Sequence, residues 1–154
     1  VDNKFSMDFK ELYGSRVDII EDRGFIDNLR FVRRDTGLFV IDGGNYFDFD
    51  LNEMVELYKK KREGTVVALY DVGSREKAKG FSVPIFKRNK DLVVGMIEKP
   101  LAPENSWVDC SIYLLSKFYF SIYLGYDNGS RFINYFARRA RVYPVFYSGE
   151  WGGK

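Results

Sequence analysis

The stretch Leu38–Asp50, LFVIDGGNYFDFD, constrains this chain more than any other. Four consecutive apolar side chains (Leu38, Phe39, Val40, Ile41) run straight into Asp42-Gly43-Gly44-Asn45. An apolar run with no polar alternation, closed by glycine, reads as a central strand buried on both faces. Soon after comes Asp50-Leu51-Asn52-Glu53, the pattern of a capped helix start in which Asp50 accepts from unpaired backbone N–H groups and Glu53 reaches back. A buried strand, a polar glycine turn and a helix belong to α/β architecture. In open α/β sheets ligands bind beyond the carboxyl ends of the strands, so the site is expected near Asp42–Asn45.

The rest of the chain continues the alternation. Upstream, Val1–Lys4 reads as the end of a strand and its loop, and Phe5–Leu12 as a short helix stopping at Gly14. Val17–Ile20 reads as a short strand and Phe25–Arg34 as a helix, with Asp35-Thr36-Gly37 turning into the apolar run. Downstream, Leu51–Glu63 is amphipathic and ends in Lys59-Lys60-Lys61-Arg62, cations that suit the negative end of a helix dipole, with Gly64 as the stop. Thr65–Tyr70 is a second buried strand, so that strand, helix and strand make a right-handed crossover unit. Ser74–Lys79 reads as a brief helix. Phe81–Lys87 and Leu92–Glu98 form a hairpin, and Pro84, with no N–H for a ladder, places its first strand at a sheet edge. Trp107–Leu115 is a third long strand. Ser116–Leu124 and Arg131–Ala137 are helical around the Asp127-Asn128-Gly129 turn, Val142–Tyr147 is a last strand, and Gly149–Lys154 is a polar end. The expected fold is a single α/β domain over residues 1–154, three-layered (α/β/α), with a mostly parallel twisted sheet and a β-hairpin insertion.

Composition removes several function classes. The 154 residues contain no histidine, which excludes serine–histidine and cysteine–histidine nucleophile pairs and histidine-ligated zinc. The single cysteine, Cys110, cannot form an internal disulfide and sits beside an apolar run, where a buried inert thiol is expected. Net charge is +2, which gives no reason to expect nucleic-acid binding. No apolar stretch reaches the roughly 20 residues that span a bilayer. No secretory leader is visible although the chain opens on Val1, so a reducing cytoplasmic setting without membrane partners is the default expectation.

Six strings in order resemble one family. They are Leu38–Asp50, Val66–Val72, Gly80-Phe81-Ser82-Val83, Glu98-Lys99-Pro100, Trp107–Ser116 and Val142–Trp151. Together the chain resembles the sugar-phosphate nucleotidyltransferases, above all the glucose-1-phosphate thymidylyltransferase type, which join a sugar 1-phosphate to a nucleoside triphosphate and release pyrophosphate. The resemblance implies a Rossmann-like nucleotidyltransferase fold, those two substrates, and Mg²⁺ held by carboxylates of Gly-Asp-Asn and Trp-x-Asp motifs. It implies that Glu98 binds sugar hydroxyls, that Lys99 meets a phosphate as the catalytic charge, and that Gly80 approaches the sugar through its backbone. Asp109 and Ser111 fall where the family's Asn-Ala-Gly lies against the sugar. These residue types suit a reaction in which charge must be neutralised and reactants aligned.

The pattern also breaks. Gly44 stands at the family's metal-binding aspartate, and Asp42, two residues back on the same face, is the weak substitute, about 6–7 Å away by strand rise. Gly152-Gly153-Lys154 follows Trp151 where the second carboxylate is expected. The family's N-terminal half-unit with its glycine-rich loop is missing from the numbered residues, since Val1-Asp2-Asn3-Lys4 resembles a segment downstream of that loop. Unaided catalysis is therefore not expected. A fragment of an active enzyme, a degenerate relative and a truncated product all remain compatible with the sequence. The competing reading is a non-catalytic binding subunit that forms homo-oligomers through a sheet edge left unpaired.

Overall fold

The computed structural model describes residues 37–42, 44–115, 119 and 129–152, all within one compact unit, Asp35–Lys154. The elements expected before Gly37 fall outside the described residues. So does the helix expected over Ser116–Leu124, apart from Tyr119, which is helical.

Eleven elements follow in order: β1 (Leu38–Ile41), β2 (Tyr46–Phe47), α1 (Asn52–Lys61), β3 (Thr65–Asp71), α2 (Arg75–Ala78), β4 (Ser82–Phe86), β5 (Val93–Glu98), β6 (Trp107–Leu115), α3 (Gly129–Ala137), β7 (Val142–Tyr147) and β8 (Trp151–Gly152). Six strands form one sheet in the order β1-β6-β3-β7-β5-β4, and β2 pairs with β8 in a separate two-stranded ribbon. The expectation of a mostly parallel sheet fails. Among the described residues only β3 and β7 pair in parallel, while β1–β6, β3–β6, β5–β7 and β4–β5 are antiparallel. β1 and β3 do run in the same direction, as a crossover requires, but β6 lies between them in the opposite direction. The physical reason is that a continuous apolar run reports burial on two faces, not strand direction.

That burial is real. Val66, Val67, Ala68 and Leu69 of β3 are each at most 1% exposed. On one face, Val66, Ala68, Cys110, Ile112, Leu114, Tyr143, Val145 and Tyr147 enclose Met54 of α1. Side chains alternate across a strand, so Tyr113 points to the other face. There it meets Phe132 of α3 edge-on at 5.5 Å. Helices therefore cover both faces, and the fold is α/β with a mixed, mostly antiparallel sheet.

Other expectations are corrected at single residues. β1 is not central: among the described residues its one neighbour is β6. Asp50 does accept from a helix N–H, that of Asn52 at 2.9 Å, but the N-cap residue is Leu51 and no side chain caps it. Arg62, at φ 60°, ends α1 two residues before Gly64. Pro84 lies on β4, at the other sheet edge, as its missing N–H requires. β5 touches β7 at a single pair, Val93–Val142. Farther along β5 the amide of Asn134 on α3 takes over, accepting from Met96 N at 2.8 Å and donating to Met96 O at 2.9 Å. No helix among the described residues is long and apolar enough to cross a membrane.

Candidate functional site

β6 is the strand that shapes the site. Opposite β3 its register slips by two residues between the Val67–Tyr113 and Leu69–Asp109 pairs, a bulge over Cys110-Ser111-Ile112. Bulges re-aim side chains and favour sites. Ser111 adopts φ 54°, a left-handed conformation that glycine enters freely and serine does not. Asp109 holds the bulge: one carboxylate oxygen accepts from Ser111 N at 2.9 Å and the other from the Tyr113 hydroxyl. The carboxylate thus curls back onto its own strand.

The turn after β1 locks onto this bulge. Asp42 N donates to Ser111 O at 3.1 Å. Asn45 Nδ2 donates to Cys110 O at 2.7 Å, and Asn45 Oδ1 accepts from Trp151 Nε1 at 3.2 Å. Trp151 in turn packs against Tyr70 and Phe81, with ring centroids 5.3 and 5.4 Å away. Phe81 O receives the N–H of Lys99 at 3.0 Å, which ties the end of the hairpin to its beginning.

The result is one cleft. Asp42, Gly44, Gly80, Glu98, Lys99, Asp109 and Ser111 all line it, although they come from four stretches of chain separated in sequence. Asn45, Phe81, Ser82 and Trp151 complete the wall. Lys99 shares with Ser111 a left-handed backbone, at φ 44°. Strain of this kind collects where surroundings over-determine a residue's position. The bonds made by Asp109 draw both its oxygens back onto β6, and Ser111 remains on the wall.

Asp109 is 6% exposed. Burial pushes its carboxyl up from 3.8 to about 6, against the pull of the Tyr113 and Ser111 bonds. Burial, and then the neighbouring Asp109 charge, also raises the Cys110 thiol, so Cys110 is inert as expected. The raised carboxyl has a consequence for stability. Below pH 4 both folded and unfolded chains hold the proton. As pH climbs from 4 to 6 the unfolded chain releases it first, so stability falls through that window, by about 3 kcal/mol for a shift of two units. Asp109→Asn should remove the slope. In urea unfolding, the variant gains on the wild type between pH 4 and pH 7, and a constant difference would refute the assignment. Ser111→Gly, which frees the left-handed position, should stabilise by up to about 1 kcal/mol in the same measurement.

Among the described residues the cleft carboxylates form no ready-made octahedral oxygen shell of the kind Mg²⁺ prefers. Asp42 Oδ1 already accepts from Gly44 N at 2.8 Å. Both oxygens of Asp109 are bonded within β6. Among the described residues no group of three His, Cys, Asp or Glu side chains is placed to hold a metal.

Comparison with known proteins gives three findings. Among curated proteins, no match to the sequence was found. A solved structure assigned as a glucose-1-phosphate thymidylyltransferase from Bacillus anthracis, in complex with sucrose, aligns with a TM-score of 0.69 at 24% identity. The alignment covers 83% of this chain and 52% of that one, so the chain spans about half the length of that relative, and the likeness shows the fold. The sequence model of the nucleotidyl transferase family matches residues 23–140, well over half of the chain. By that match, the chain belongs to the nucleotidyl transferase family.

Proposed function

We propose that the cleft is a sugar 1-phosphate site laid out for nucleotidyl transfer. Glu98 accepts from sugar hydroxyls, Lys99 presents a point charge to the phosphate, and the Gly80 backbone allows close approach of the ring. The reaction of such a site is attack of a sugar phosphate oxygen on the α-phosphorus of a nucleoside triphosphate, with pyrophosphate leaving. Its protein contribution is alignment and charge rather than covalent chemistry. The observation that carries this reading is the convergence of Gly80, Glu98, Lys99, Asp109 and Ser111 on one wall.

Isothermal titration with glucose 1-phosphate tests it. The wild type should bind, and Lys99→Ala should bind about 10–100-fold more weakly, the worth of one charge-assisted hydrogen bond. Absence of binding by the wild type contradicts the reading.

A second reading, binding without turnover, is favoured by one specific position. Gly44 occupies the place where the family resemblance calls for a metal-binding aspartate, and glycine has no side chain to ligate with. Pyrophosphate release from nucleoside triphosphate, Mg²⁺ and glucose 1-phosphate separates the two readings. Release at an enzyme-like rate favours the first, and binding without release the second.

A further inference from the structure

Three basic segments, distant in sequence, meet beside the starts of β3, β5 and β7. Lys59-Lys60-Lys61-Arg62 closes α1, Lys87-Arg88-Asn89-Lys90 turns between β4 and β5, and Arg138-Arg139-Ala140-Arg141 leads α3 into β7. Strand pairing sets them side by side, because Val142 pairs with Thr65 on one flank and Val93 on the other. They contribute four, three and three cations to a chain whose net charge is only +2. Each segment alone is an ordinary solvated terminus or turn; their assembly is a property of the fold.

The segments enclose a second cleft of about 220 Å³, lined by Lys61, Lys87, Asp91, Leu92, Arg141 and Tyr143. It shares no residue with the first. The Lys61 ammonium stands 4.9 Å above the Tyr143 ring centre, which steadies it on the wall. Arg141 Nη1 lies 3.6 Å from Glu63, but both side chains are 65% exposed, so this pair is weak; the guanidinium also hydrogen-bonds the Tyr143 side chain, which holds it at the wall of the cleft. Asp91 is the one carboxylate of the lining, which is therefore positive overall.

We propose that this second cleft binds a short phosphate chain, either inorganic di- or triphosphate or the phosphate tail of a nucleotide. Three cations from three loops converge on a concavity, which suits a compact multivalent anion held by several charge-assisted bonds. A duplex would instead call for a broad basic face that meets many phosphates in succession.

The test is titration of the full chain with inorganic triphosphate in metal-free buffer, followed by nucleoside triphosphate to separate the two sources. Replacing Lys61, Lys87 and Arg141 together by alanine should weaken triphosphate binding at least tenfold. Removing the same charge from Lys59, Lys60 and Arg88 should weaken it less than threefold, and Lys99→Ala should leave it unchanged. The single variant Lys87→Glu, on the exposed hairpin turn, gives the same reading if the triple variant fails to fold. Equal losses from the two triple variants would mean diffuse attraction and overturn the proposal. So would loss on Lys99→Ala, tighter binding of duplex DNA than of triphosphate, or no binding by the wild type.

Discussion

Gly64→Ala should cost on the order of 3–4 kcal/mol, seen as a fall of a molar unit or more in the urea midpoint. Gly64 sits at φ 88°, and a methyl group built there would lie 2.3 Å from Arg141 O. That oxygen also accepts from Thr65 N at 3.0 Å, the bond that starts the parallel β3–β7 ladder. Alanine must therefore adopt a left-handed backbone, at about 1–2 kcal/mol, and also push apart the two strands where they first meet. The clash is with backbone, which cannot rotate away as a side-chain end can. A loss under 1 kcal/mol would mean that the loop has room the structure does not give it.

Asn45→Ala should destabilise by about 2 kcal/mol and weaken sugar 1-phosphate binding at least tenfold, by disturbing the wall of the cleft. The orientation of the amide follows from its partners: a carbonyl can only accept and an indole N–H can only donate, so Nδ2 faces Cys110 and Oδ1 faces Trp151. Alanine leaves both partners unpaired and unties the β1–β2 turn from the bulge and from the indole. Asn45→Asp keeps the acceptor for Trp151 but sets a carboxylate against the Cys110 carbonyl, so the bulge suffers more than the indole. In a Trp107→Phe background the emission reports Trp151 alone. It should shift in Asn45→Ala and shift less in Asn45→Asp. Unchanged emission in Asn45→Ala would show that the amide does not set the indole.

Much of this arrangement was readable from sequence, for reasons that differ by element. β6 and β7 have the limits expected, because each is an apolar run bounded by polar or glycine-containing segments. Their directions were not readable, since β3 and β6 are buried on both faces and such strands read alike in either direction. β2 and β8, two residues each, are too short to show any period. In the cleft, the charged and glycine positions drew notice because polar groups at strand ends stand out. Phe81, Ser82 and Trp151 were not read as wall residues, and Asn45 only as the end of the turn near which the site was expected. Asn45 and Trp151 work through each other across the fold, a pairing that only the tertiary structure discloses. The adjacency of Asn45 to the glycine turn was the one available signal.

The proposed function has Lys99 and Glu98 grip a phosphorylated sugar in this cleft without a metal. Titration of the wild type with glucose 1-phosphate, once with Mg²⁺ and once with a chelator, addresses this in a single pair of runs. Equal affinity in both, lost in Lys99→Ala, is the result expected. Binding that appears only with Mg²⁺, or no binding in either run, would contradict it.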